Sequence, residues 1–463
     1  MNPQSVKGMT NLEELKALVE RGEIETVITA FPDMYGRLMG KRIAGRYFLD
    51  AVAAHGMHAC NYLMACDMEM DPIPGYGYTS WDKGYGDFRC VPDFRTLRRA
   101  SWLDKTALVL CQLTAEDDDQ AVEIAPRQVL KRQIDRAHAL GFVPMGATEL
   151  EIFIFKETYE SAKKKGFHNL ETFGWYIEDY HILQGTKAEG LVGAIRHHME
   201  ESGVPVEFSK GEWGPGQHEI NFRYADLMEM ADRHVIYKHA AKEIAHRQDL
   251  ALTFMAKWDE RFAGSSMHLH VSLWDPEVRR NAFAGSKQKG RIQGSELFYY
   301  FLGGWMAHAR EFMLFYAPTI NSYKRYRVGS FAPTGIAWSV DNRTAGFRIV
   351  GHGDSLRIES RIPGADANPY LAFAATLAAG LDGIEKKIEP PEATDGNVYV
   401  DAAVPRVPGS LKEAIEEFER SDLAKKAFGE EVVAHYLHFA RTEQRKFDEV
   451  VTCWERERFF ERA

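Results

Sequence analysis

The chain is poor in the features that mark several protein classes. Its five cysteines, Cys60, Cys66, Cys90, Cys111 and Cys453, are odd in number and scattered, with no C-x-x-C pair. That argues against a disulfide framework or a cysteine-built zinc site, and for reduced thiols in a cytoplasmic protein. No stretch approaches the roughly 18 uninterrupted apolar residues of a membrane span. The opening residues, MNPQSVKGMTNLEELKALVERGE, hold no apolar run ahead of a small-residue cleavage site, which points away from secretion. Positive charge is not in excess, since 57 Lys and Arg face 67 Asp and Glu for a net charge of -10. A basic nucleic-acid surface is therefore not expected. G-x-x-x-x-G-K-[ST] is absent and no G-x-G-x-x-G follows a strand, which weakens the P-loop and Rossmann readings. Fixed-period repeats and low-complexity tracts are missing as well.

What is present is a globular composition of 45% apolar and 27% charged residues over 463 positions, enough for two or three domains with a sizeable core. The first part reads as a short helix over 12–21, a strand near 26–31, a glycine-rich stretch and a buried strand over 102–113. The acidic run Glu116-Asp117-Asp118-Asp119 precedes Ala125-Pro126-Arg127 and a helical pattern through Leu140. Proline at a helix start with acid before it is favoured, so the run is taken as the boundary between a domain at 1–118 and one at 119–463. Beyond it, strands are expected at 143–155, 204–208, 218–223, 265–273 and 355–361. Helices are expected near 225–247, 295–316, 369–387 and 430–455. This mixture implies an α+β fold around a curved antiparallel sheet. The aromatic residues, Trp81, Trp102 and Trp175 among them, read most simply as core.

Three strand-like segments carry acids, imidazoles or guanidiniums two residues apart, and a fourth carries a pair of glutamates. Residues so spaced share one face of a strand. Glu149 and Glu151 project together, against Leu150, Ile152 and Ile154. His268 and His270 share a face against Met267, Leu269 and Val271, as do Arg357, Glu359 and Arg361 against Ile358. Glu212 and Glu219 lie in GEWGPGQHEINF. A lone E-x-E is most often a solvated strand face. Here the IFIF run after it says that both faces are covered, and a covered pair of like charges needs a cation or protons to compensate it. A cluster built mostly from carboxylates with one or two imidazoles suits Mg²⁺ or Mn²⁺ better than zinc. Two such metals would let one hold a carboxylate substrate and the other a nucleotide phosphate. Arg325, Arg327, Arg343, Arg348, Arg357 and Arg361 crowd the stretch 321–361 and look like an anion clamp, which would neutralise a transferring phosphoryl group.

Across essentially its whole length the sequence resembles the glutamine synthetase family. ATELEIF is similar to that family's metal-binding E-x-E strand, GEWGPGQHEI to its two-glutamate segment and GSSMHLHVSL to its G-S-G-M-H-x-H-x-S. NSYKRYRVGSFAP, DNRTAGFRI and LRIESRIPGADANPYLAFAA resemble its glutamate, ATP and C-terminal signatures. The resemblance implies a small β-grasp-like N-terminal domain and a large catalytic domain with a half-barrel sheet. It implies one metal on Glu151, Glu212 and Glu219 and another on Glu149, His268 and Glu359. L-Glutamate would lie on Gly264, Arg325, Arg343 and Arg361, and ATP on Glu207, His270, Ser272, Arg348 and Arg357. Asp33, in Asp33-Met34-Tyr35-Gly36, would be the cation partner and proton acceptor that a neighbouring subunit supplies to the amine site. Active sites would sit between subunits of a homo-oligomer of two stacked rings, a dodecamer. The implied chemistry is phosphorylation of the glutamate γ-carboxylate, followed by attack of an amine nitrogen on the acyl phosphate.

One departure bears on the acceptor. Ammonia-using members usually carry a glutamate immediately before the Ala-Pro that here follows Phe331. A phenyl ring cannot attract ammonium or take its proton, but it can pack against a carbon substituent. The expected acceptor is therefore a primary amine larger than ammonia, with Phe331 and Tyr180 in its pocket and a lean towards an apolar substituent. Glu178 and Asp179, beside Tyr180, are either acids at the far end of that pocket or a solvated turn. Smaller departures are Ala263 before the glutamate-binding glycine, and Ser266 where a glycine is usual. The alternatives are an ordinary glutamine synthetase using ammonia, a non-catalytic structural or regulatory member, and a glycosidase built on a carboxylate pair. Six clustered arginines do not suit the glycosidase, and a non-catalytic member would be expected to have lost metal ligands.

Overall fold

A computed structural model describes residues 6–463. Helix α1 (Leu12–Glu20) opens with a capping box in which Asn11 and Glu14 satisfy each other's free backbone donors. The strands β1 (Thr26–Pro32), β2 (Leu38–Ala44), β3 (Met57–Cys60), β4 (Asp87–Pro92) and β5 (Thr106–Ala115) then form one sheet in the order β2-β1-β5-β4-β3. Only β1 and β5 run parallel in that path. A central parallel pair flanked by antiparallel neighbours is the β-grasp-like arrangement expected. The strand foreseen at 102–113 begins later, at Thr106. Trp102 sits in the preceding turn, where its indole N–H donates to Glu243 at 2.6 Å.

Helix α2 (Pro126–Ala139) leads into the long strand β6 (Val143–Phe155), the axis of a second, ten-stranded sheet. Its main path adds β7 (Val206–Gly211), β8 (Gln217–Phe222), β9 (Met267–Asp275), β10 (Trp338–Val340), β11 (Phe347–Val350) and β12 (Arg357–Ser360), in the order β10-β11-β12-β9-β6-β8-β7. Every pair except β10–β11 is antiparallel, and the sheet curls into a half-barrel. Along β6 exposure alternates. Pro144, Gly146, Thr148 and Leu150 face the core, and Met145, Ala147 and Glu149 face the concave side.

Helices α3 (Leu227–Arg247), α4 (Glu296–Ala307) and α5 (Pro369–Lys386) form the helical layer behind this sheet, and α6 (Glu430–Asp448) packs outside it, with Phe439 against Tyr35. Helix α5 is buried on nearly all sides, so it lacks an amphipathic stripe. It meets α4 at backbone distance, since a Cβ at Gly304 would lie 2.4 Å from the Ala379 carbonyl oxygen. The helix foreseen at 295–316 is broken at 308–312, before a short turn of helix at Met313–Tyr316. There His308 is clamped between Glu311 and the buried Asp382 of α5, each at 3.0 Å. The helix foreseen at 430–455 likewise ends at Asp448, and Thr452 caps a separate helix, Cys453–Phe459. Trp81 and Trp175 are exposed rather than core, and Trp175 offers its ring to Lys156 and Lys187. Among the described residues no helix is long and apolar enough to cross a membrane.

Candidate active site

Strand register assembles the polar side chains in rows, because residues directly opposite on neighbouring strands share a face. Lys210, Glu219 and Glu151 are opposite one another across β7, β8 and β6. Asn221, Glu149 and His268 form the next row across β8, β6 and β9. His270, Glu359 and Arg348 form a third across β9, β12 and β11. The concave face thus collects four glutamates and two histidines from separate segments, and Glu212 joins them just beyond the end of β7.

Three sets of these groups bring one donor atom each within 4.8 Å of the others: Glu151 with Glu212 and Glu219, Glu149 with Glu219 and His268, and Glu149 with His270 and Glu359. The first set is the trio expected for one metal. The other expected trio is divided between the remaining two sets: Glu149 and Glu359 lie 3.1 and 3.7 Å from His268 Nδ1, but His268 converges with Glu149 and Glu219, and Glu359 with Glu149 and His270. The electrostatics mark an uncompensated cluster. Burial, and then the charge of Glu212, push Glu151 up to about 8. Burial, Glu149 and Glu212 hold Glu219 well above the ordinary carboxylate range. Glu149 is instead drawn well down, because the His270 and His268 rings outweigh its burial. Burial is likewise overcome at Glu359, which Arg361 and the two histidines hold at about 2. Burial and Arg361 press His268 down to about 4, so its ring is neutral, and its buried Nε2 has no hydrogen-bond partner. Buried like charges beside a neutral imidazole with a spare nitrogen are a donor set suited to divalent cations.

The cluster lies in a cavity of about 500 Å³ that also presents Gly264, Ser266, Arg343, Arg348 and Arg361. Its far wall holds Tyr180, Lys210, Trp213 and Phe331. Phe331 meets Trp213 edge to face at 5.5 Å and has a φ of 57°, a left-handed conformation unusual for a bulky side chain. A second cavity of about 540 Å³ shares Glu149, Phe208 and Asn221 with the first. It is lined by Glu207, His270, Ser272 and Arg357, and Tyr224 and Trp274 stack at its rim with 20° between their planes. Both volumes suit small-molecule sites, which span roughly 300–1,000 Å³.

Some expected residues lie elsewhere. Arg348 lines the first cavity and binds Glu359 at 2.7 Å rather than lining the second. Arg325 sits one layer behind the wall, fully buried, with one nitrogen on Ser266 Oγ at 3.0 Å and another on the Ile362 carbonyl. Gly264 makes that packing possible, since a Cβ there would fall 2.3 Å from Arg325 Cγ and 2.6 Å from the Ala256 carbonyl oxygen. Gly264→Ala is therefore expected to cost ~1–3 kcal/mol of stability through overpacking, measured by denaturant unfolding. Asp33 reaches neither cavity of its own chain. Its buried carboxylate accepts Arg37 Nε at 2.7 Å and the backbone N–H groups of Tyr35 and Arg37. Glu178 is neither solvated nor free: it is buried, sits 3.0 Å from His218 and accepts the Gly216 N–H. Asp179 faces Lys210 at 3.7 Å.

Lys210, Trp213, Gln217 and Asn221 were not among the expected residues. Gln217 donates to the Gly264 carbonyl at 3.0 Å and to Glu151 at 3.3 Å, tying the glycine loop to the carboxylates. Period-two phase could have found three of them, since Phe208, Lys210 and Glu212 alternate on one side, as do Gln217, Glu219 and Asn221 on the next strand.

A curled sheet that sets a carboxylate cluster suited to divalent metal between an arginine-lined cavity and a nucleotide-sized cleft fits an enzyme that activates a carboxylate at a nucleotide's expense. Residues 123–459 match the family described as glutamine synthetase, catalytic domain, and the chain is a member of that family of ligases. It is 50% identical over 451 residues, 97% of this chain and 96% of the relative, to gamma-glutamylethanolamide synthetase GlnA4 of Streptomyces coelicolor. It is 35% identical over 451 residues, 97% of each, to a glutamate–isopropylamine ligase of a Pseudomonas species. The solved structure of a GmaS/ADP complex superposes with a TM-score of 0.84 at 27% identity, covering 96% of this chain and 99% of that one. The family uses ATP and a divalent metal.

Proposed function

We propose that this protein is an ATP-dependent glutamate–amine ligase that joins the γ-carboxylate of L-glutamate to a primary amine larger than ammonia, giving a γ-glutamyl amide. The observation that carries this reading is the aromatic wall of Trp213 and Phe331 in the cavity that holds the carboxylate cluster. Among the described residues no free acid stands at that end to recruit ammonium, because Glu178 is buried 3.0 Å from His218 and Asp179 faces Lys210. The two relatives named for ethanolamide and isopropylamine products support the same reading.

Each residue has a physical task. Arg361 and Arg343 line the cavity where the glutamate carboxylates would lie, and among the described residues nothing engages Arg343. Arg325 supports that wall from behind through Ser266. Arg357 and His270, 3.2 Å apart, and Ser272 line the cleft assigned to the triphosphate, while Tyr224 and Trp274 offer faces for a base. Glu149 borders both cavities, so one carboxylate orients groups on each side of the phosphoryl transfer. Two Mg²⁺ or Mn²⁺ ions, held by Glu151, Glu212 and Glu219 and by Glu149, His268 and Glu359, would supply charge neutralisation at the transferring phosphoryl group. Water exclusion by Trp213 and Phe331 would protect the acyl phosphate.

Asp33 enters this scheme only from a neighbouring subunit, in a homo-oligomer of stacked rings. The exposed Val450, Val451, Trp454, Phe459 and Phe460 at the C-terminal end support assembly, being more apolar surface than a solitary chain ordinarily leaves wet. The same reading places the enzyme in the cytoplasm, which its unpaired thiols support. The deciding experiment is ADP release with ATP, glutamate and a panel of amines. Ethanolamine or a short alkylamine should exceed ammonia in kcat/KM by at least about tenfold, and ammonia as the best acceptor would overturn the assignment.

A further inference from the structure

The acceptor end of the first cavity contains the makings of a cation site. The ring of Tyr180, the carboxylate of Asp179 and the metal-cluster acid Glu212 converge on one point, and an aromatic face beside acids binds ammonium groups. That point is already filled by a side chain of the protein. Lys210 Nζ lies 4.5 Å from the centre of the Tyr180 ring and 3.7 Å from Asp179, and it donates to Glu212. Lys210 is directly opposite Glu219 in the sheet, between Phe208 on its own strand and Glu212 just past the strand's end, and its side chain is only 15% exposed. It is held by the wall rather than swinging at the surface.

We propose that Lys210 is a specificity-determining residue, a built-in cation that keeps a second positive charge out of the acceptor site. The inference rests on the amine-ligase reading above and narrows it: the acceptor is a monoamine with an uncharged tail, and a diamine or polyamine is rejected. A second ammonium would have to displace the lysine from Tyr180, Asp179 and Glu212 or lie beside it unshielded, and like-charge juxtaposition of this kind is how sites reject a wrong ligand. Among the described residues the other acids of this cavity, Glu149, Glu151 and Glu219, belong to the cluster that would hold the metals, which leaves that charge no further acceptor there. Glu178 is buried against His218. The adjoining cavity of about 460 Å³, which shares Trp213 and Phe331, presents Lys257, Arg261 and Arg327 against the single acid Glu260.

The test compares kcat/KM for butylamine and 1,4-diaminobutane, which match in length and differ in the far ammonium. The wild-type enzyme should favour butylamine by roughly tenfold or more, and Lys210→Met should raise the diamine-to-monoamine ratio by roughly tenfold or more, the range a desolvated cation–π and acid contact supports. Lys210→Arg, which keeps the charge, should leave the ratio near wild type. Adding Asp179→Asn to Lys210→Met should lower it again. Because the ratio is internal to each enzyme, a general loss from disturbing Glu212 cancels. A wild-type enzyme that uses both amines equally would overturn the inference even if every variant failed to fold, and so would an unmoved ratio in Lys210→Met. Turnover with ammonia alone would instead sink the amine-ligase reading and take this inference with it.

Discussion

Glutamine in place of Glu219 is expected to silence the enzyme and, at the same time, to stabilise its metal-free form. Glu219 is buried with Glu151 and Glu212, and its pKa is held far above the ordinary carboxylate value by burial, Glu149 and Glu212. The neutral amide keeps the shape and can still accept the Asn221 side-chain N–H, now 3.0 Å from the carboxylate. It removes one member of a set of like charges that a cation or protons must compensate. Turnover should fall on the order of 10³-fold or more, because a bound metal supplies several kcal/mol of charge stabilisation at a transferring phosphoryl group. Thermal unfolding in EDTA should show the variant above wild type. Added Mg²⁺ should lift wild type strongly, since a ligand at a hundred times its Kd adds about 2.7 kcal/mol, and lift the variant much less. A variant less stable than wild type in EDTA would mean that the cluster is not a repulsive one.

The pH dependence follows from the same charges. Glu151 has its folded pKa raised, to about 8 from an ordinary 4.5. A group of that kind contributes stability below its unfolded pKa and loses it as pH rises through the folded one. Metal-free wild type should therefore weaken steadily between about pH 4.5 and pH 8. Saturating Mg²⁺ should flatten that fall, because it favours the ionised carboxylates over protons.

Much of this cluster is legible in the sequence. Strand 143–155 was placed at its true ends because its apolar residues alternate with Glu149 and Glu151 and then close into IFIF, a signal confined to one segment. The histidine pair and the Arg357-Glu359-Arg361 run were legible for the same reason. Lys210 was missed because the strand foreseen at 204–208 stops short of it. The real strand is Val206–Gly211, and beyond its irregularity between Val206 and Phe208 the period-two phase of Phe208, Lys210 and Glu212 is intact. The arginine crowd was visible, but depth is not a sequence property, so Arg325 and Arg343 looked alike although one lies behind the wall and the other on it. The break at 308–312 has no Pro or Gly to announce it and depends on His308 reaching Asp382, 74 residues away. Tertiary partners of that kind also decide Glu178, a loop residue whose histidine lies on the strand Gln217–Phe222.

Phe331→Glu is the change expected to move acceptor choice furthest. Phe331 holds a left-handed backbone at the edge of Trp213, a strained placement that such a side chain keeps only where its surroundings enforce it. A carboxylate there would face the cavity that Lys210 and the glutamate cluster share, where it could attract ammonium and accept a proton during attack. The ammonia-to-butylamine ratio of kcat/KM should rise on the order of 10²-fold, from a gain for ammonia and a loss of the apolar contact for butylamine. Phe331→Ala separates the two causes. It should weaken butylamine by roughly the value of a lost aromatic contact, ~1–2 kcal/mol, without improving ammonia. Lys210 offers a further control, because its ammonium can pair with the new acid and mask it. Combining Phe331→Glu with Lys210→Met should therefore increase ammonia use beyond either single change. If alanine raised ammonia turnover as much as glutamate did, space rather than charge would govern the acceptor, and the aromatic wall would be a plug instead of a recognition surface.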